Sequence, residues 1–83
     1  MKILGYELKQ TCGACPEQYD VYWEGKQVGY LRLRWGEFSA EVPDCWGKMV
    51  YLARPEGHGE FEDHERVKYL TEAIMAIHDW RTD

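Results

Sequence analysis

The sequence predicts an α+β domain, an antiparallel β-meander of four to five strands packed on one C-terminal α-helix. Short segments alternate apolar and polar residues, glycines punctuate the joints between them, and the last twenty or so residues switch to a three- and four-residue apolar step.

Taken in order, residues 2–9 alternate, with Leu4, Tyr6 and Leu8 on one face, and predict the first strand. Thr11 to Gln18, broken by Gly13 and Pro16, predicts irregular chain. Residues 19–24 set Tyr19, Val21 and Trp23 against Asp20, Tyr22 and Glu24, and Gly25 supplies a turn. Residues 27–35 set Gly29, Leu31, Leu33 and Trp35 toward a core and Val28, Tyr30, Arg32 and Arg34 the other way, before a turn at Gly36. Residues 37–42 place Phe38, Ala40 and Val42 together, and 48–54 form a last strand after a Pro43–Gly47 loop. A second loop, Pro55 to Gly59, leads to the helix. Asp63 is the expected N-cap, with Glu65 favouring the positive helix start. Val67, Leu70, Ile74 and Ile77, with Ala73 and Trp80 nearby, form the apolar stripe.

Eighty-three residues make a single domain, 1–83, of modest stability. The net charge of -5 disfavours general nucleic-acid binding, which needs a basic footprint, and permits docking on a basic partner. Acid is concentrated at Glu56, Glu60, Glu62, Asp63 and Glu65. No apolar run is long enough to span a bilayer, and the N-terminus lacks the apolar stretch of a secretion signal, so a cytoplasmic location is expected. The odd count of three cysteines argues against a disulfide framework.

Two constellations carry possible chemistry. Cys12-Gly13-Ala14-Cys15-Pro16 has the thiol spacing of half a zinc site, which Cys45 and His58 or His64 could complete. The same pair could act as a redox dithiol. Its likeness to thioredoxin-like proteins is confined to the CxxC and Val42-Pro43, and a strand-like segment follows where a helix is needed. The structural alternative is small thiols packing a loop. The second constellation is Tyr30, Arg32 and Arg34, which period two places on one sheet face. Paired guanidiniums beside a ring suit phosphate or carboxylate; the alternative is salt bridging to Glu24, Glu37 or Glu41. His58 and His64 lie near acids but no nucleophile is spaced to meet them, so an enzyme is not expected. One helix covers one sheet face, and the other face must meet water, a ligand or a partner.

The run Cys12-Gly13-Ala14-Cys15-Pro16-Glu17-Gln18-Tyr19-Asp20, with Gly29-Tyr30-Leu31-Arg32-Leu33-Arg34 and Gly36-Glu37-Phe38, resembles a group of short proteins carried by bacteriophages and prophages. The resemblance implies context: a small acidic protein acting in the host cytoplasm, inhibiting a host (defence) factor or sequestering a small anionic ligand. It transfers no functional residue. The leading expectation is therefore a non-enzymatic binding protein without a cofactor, using Tyr30, Arg32 and Arg34. A zinc module on Cys12, Cys15, Cys45 and His58 comes second and a dithiol protein third, with homodimerisation through a sheet edge left open.

Overall fold

A computed structural model describes residues 1–12, 17–56 and 61–82, with the side chain of Cys12 excepted. Six strands follow in chain order: β1 (Lys2–Ile3), β2 (Tyr6–Cys12), β3 (Glu17–Trp23), β4 (Lys26–Arg34), β5 (Glu37–Val42) and β6 (Lys48–Ala53); the helix α1 (Asp63–Thr82) closes the chain. The strands pair with their sequence neighbours in one antiparallel sheet, β1-β2-β3-β4-β5-β6. No helix among the described residues is long and apolar enough to cross a membrane.

The α+β meander stands, with six strands rather than four or five. The additional strand hides in residues 2–9, where Leu4 and Gly5 both take positive φ and reverse the chain. The Leu4, Tyr6, Leu8 alternation runs across that turn and masks it. Two further tight turns, Glu24-Gly25 and Trp35-Gly36, also have positive φ at both central residues, the backbone whose twist matches a hairpin.

The core lies between one sheet face and α1. Tyr6, Leu8, Tyr19, Val21, Leu31, Leu33, Phe38, Ala40 and Val42 from the sheet meet Leu70, Ala73, Ile74 and Ile77 from the helix. Gly29 lets the helix come close: a Cβ there would stand 2.6 Å from Ile77 Cδ1. Phe61 packs edge-on against Phe38 and stacks parallel to Tyr69, closing the end of the core.

Three sequence expectations are corrected. Trp35 does not join the core; it sits in the turn at φ 57° and is 83 % exposed. Val67 is 73 % exposed. At 100° per residue it lies roughly 70° from the centre of the buried stripe, which passes through Arg66, Leu70, Ile77 and Arg81. The helix cap is Glu62, not Asp63. Glu65 accepts the Glu62 N–H at 2.9 Å, the reciprocal half of a capping box. Asp63 instead takes a bond from Arg66 at 3.0 Å.

The helix is fastened at both ends by polar contacts. At its start, the buried Glu17 carboxylate accepts from Arg66 Nε at 2.9 Å, from the Phe61 N–H at 3.0 Å and from the Tyr19 hydroxyl. At its finish, Arg81 donates to the Tyr6 hydroxyl at 2.9 Å, and that hydroxyl also bonds His78 Nδ1.

Candidate functional site

Period-two alternation, anchored by Leu31 and Leu33 against the helix, turns Tyr30, Arg32 and Arg34 to the face α1 does not cover. Register places Arg32 between Gln18 on β3 and Ser39 on β5, with Leu52 on β6 beyond Ser39. Arg34 is opposite Glu37.

The expected cross-strand salt bridges do not form. Glu37 is taken by Arg54, whose Nη2 donates to it at 2.9 Å. Among the described residues neither Arg32 nor Arg34 has an ion-pair partner. Arg34 instead lies against the Trp35 ring, 5.7 Å from its centroid. Arg32, Arg34, Trp35, Glu37, Ser39, Met49 and Leu52 line a depression of 230 Å³. It combines two guanidiniums without a described ion-pair partner, a hydroxyl, apolar side chains and the Glu37 carboxylate, which Arg54 holds.

Tyr30 shares this face without lining the depression. It is 8 % exposed. Burial raises the pKa of its phenol, Arg32 pulls the other way, and Cys45, Glu41 and Asp20 push upward again. Tyr51 and Arg54, possible additions from neighbouring strands, do not join. Tyr51 donates to Glu72 on the helix side, and Arg54 is held by Glu37.

Sequence reasoning missed Trp35, Met49 and Leu52. The signal for Trp35 was available, because the residue before the turn glycine leaves the strand alternation. Met49 and Leu52 are 52 % and 46 % exposed, and Trp46, in the loop, is 85 % exposed.

Of the proposed zinc ligands, Cys45 and His64 have described side chains; Cys45 is exposed with a free thiol, and His64 is also exposed. Cys15 and His58 lie outside the described residues. Cys12 ends β2 opposite Gln18. For the dithiol reading, β3 already begins at Glu17, so no helix follows the motif. The acidic 56–65 segment is largely committed internally. Glu65 is buried and accepts the N–H groups of Glu56 and Glu62, each at 2.9 Å, while Glu56 meets His64 at 3.3 Å. Glu60 lies outside the described residues.

Glu17, at the start of β3, is a buried acid beside the core. Burial pushes its carboxyl up, but bonds from Arg66, Tyr19 and the Phe61 N–H, with the charge of Arg66, outweigh burial and hold it below its ordinary value. The Tyr19 phenol is raised in turn, by burial and by Glu17.

Compared with known protein families, curated proteins and solved structures, the chain matches none.

Proposed function

We propose that this is a non-enzymatic binding protein that engages an anionic group, on a host protein or a small ligand, through the open face of its sheet. The supporting observation is the pair of guanidiniums, Arg32 and Arg34, in one depression with no acid among the described residues bound to either. Of the five arginines, Arg54 and Arg66 hold acids and Arg81 holds the Tyr6 hydroxyl, while Arg32 and Arg34 hold neither among the described residues. Leaving two free beside exposed apolar residues matches the anatomy of a recognition surface, in which arginine and tryptophan carry much of the energy.

Trp35 adds support. A bulky side chain at positive φ costs about 1 kcal/mol over asparagine or glycine, and 83 % exposure returns little of it through burial. The residue suits contact with something outside the chain. Given the resemblance to phage proteins, the target on this reading is a host factor of bacterial defence or a small anionic signal.

Parallel capture from bacterial lysate tests this, with the wild-type chain and the R32E/R34E variant as baits, and with small molecules released from each bait analysed by mass spectrometry. The reading expects a species held by the wild type, eluted by salt and missing from the variant. Identical sets on both baits would sink it.

A further inference from the structure

The two edges of the sheet are unequal. At one, β1 is 2 residues long, too short to template another strand. At the other, β6 runs 6 residues and pairs only with β5. Among the described residues, no hydrogen bond outside that ladder engages the β6 backbone. Among the described residues its outward N–H and C=O groups have no partner, and each such group needs one from water or another segment.

Two depressions flank this edge, one on each side of the sheet. On the helix side, Lys48, Val50, Ala76, Asp79 and Trp80 line a groove of 540 Å³. On the open side is the 230 Å³ depression of Arg32, Arg34, Ser39 and Leu52. Met49 borders both. A strand's side chains point alternately to opposite faces, so a seventh strand laid along β6 would feed the two depressions in turn.

We propose that β6 accepts an extended segment of a partner protein by strand addition, with acidic residues facing Arg32 and Arg34 and apolar residues facing Val50, Ala76 and Trp80. This rests on the reading of the open face as anion-binding and adds the form of the partner. Strands lie about 4.8 Å apart, so the added strand is roughly 14 Å from β4. The line from Arg32 to the added strand crosses the small Ser39 and then Leu52, so an arginine and a glutamate that meet there lie extended beside the leucine. A second copy of the chain fits less well, because its β6, Lys-Met-Val-Tyr-Leu-Ala, brings no acid to the arginines. Lys48 and the register shift between Ala40 and Glu41 guard the start of the edge against indiscriminate pairing and leave Tyr51–Ala53 regular.

The test is NMR titration of the ¹⁵N-labelled full chain with three blocked octapeptides: alternating Glu and Val, alternating Lys and Val, and the Glu–Val peptide N-methylated at alternate backbone nitrogens. The Glu–Val peptide is expected to shift the amides of Lys48–Ala53. Its affinity should fall at least tenfold on methylation and at least tenfold in R32E/R34E, and the Lys–Val peptide should leave the spectrum unchanged. Equal binding of methylated and unmethylated peptides, with loss in R32E/R34E, would overturn strand addition and spare the anion-binding face. Equal binding by wild type and R32E/R34E would overturn both. Absence of shifts at millimolar Glu–Val peptide would overturn strand addition, as would a dimer in sedimentation whose β6 amides resist exchange without peptide.

Discussion

The two faces of the sheet hold arginine in opposite ways. On the covered face, Arg66 reaches over the sheet end and is bound by Glu17, Asp63 and the Phe61 carbonyl, so nearly all its donors are committed. On the open face, Arg32 and Arg34 line a depression with no acid among the described residues attached to them. The difference follows from where each acid lies. Glu17 is 2 % exposed and cannot be left buried without a cation and donors. Glu37, the acid nearest Arg34 in register, is half in water and already holds Arg54. An arginine whose partner is buried serves the fold, whereas one with no partner is available to a ligand. Substitutions on the two faces should therefore separate stability from binding.

The largest effect is expected from E17Q. It keeps the volume of the side chain but leaves Arg66 facing a neutral group inside a site built for a carboxylate. Breaking a buried pair from one side costs about 3–5 kcal/mol, much of what a domain of this size possesses. Urea unfolding should show an early midpoint or no cooperative transition. Acid should act through the same group. The folded state holds the Glu17 carboxyl below its ordinary 4.5, so the unfolded chain takes up that proton first as pH falls. The contribution is complete above about 4.5 and is lost as pH drops through the lower folded value. Urea midpoints of the wild type that stay level from pH 6 to pH 3 would contradict this.

Next comes G29A, which probes how closely α1 lies on the sheet. The new methyl would meet Ile77 Cδ1 at 2.6 Å, and Ile77 is fully buried. Overpacking of this kind costs about 1–3 kcal/mol. Removing the obstructing carbon with I77V should recover part of the loss, so the double variant should be more stable than the sum of the two single changes. Simple additivity in thermal unfolding would mean that the helix shifts to make room.

W35N should move stability the other way. Asn-Gly is the preferred pair for a hairpin turn with positive φ at both centres, and Trp35-Gly36 is that turn with an ill-suited first residue. The gain is about 1 kcal/mol, read as a rise in the thermal midpoint. A fall would mean that Trp35 contributes to the fold despite its exposure. A rise accompanied by lost binding would place the ring on the recognition surface.

The division between the two faces also explains what could be read from the sequence. Local pattern revealed the hairpins at Gly25 and Gly36, the C-terminal helix, and the common face of Tyr30, Arg32 and Arg34, because each depends on residues a few positions apart. The hairpin at Leu4-Gly5 was hidden because its flanking strands keep one alternation and its turn lacks asparagine or aspartate. Glu17 was opaque for a different reason. Its partner Arg66 is 49 residues away, and nothing local marks a glutamate at a strand start as buried. The availability of Arg32 and Arg34 was likewise non-local. It depends on Arg54 capturing Glu37, a contact that requires the β4–β5–β6 register.

The smallest effect on stability, and the sharpest test of the comparison, is expected from R32A/R34A. Among the described residues neither side chain gives up an ion pair, and the cation–π contact of Arg34 with Trp35 is on the surface, worth about 0.5 kcal/mol. The urea midpoint should therefore change little, within about 0.5 kcal/mol. One local signature should still move. Arg32 is the group that opposes the upward shift of the Tyr30 phenol, so losing its charge should raise that pKa further. Tyrosine-resolved NMR at alkaline pH, taken where the fold persists, would record it. If R32A/R34A instead lost stability on the scale of E17Q, the two arginines would belong to the fold, and the open face would have to be read as a solvated counterpart of the covered one.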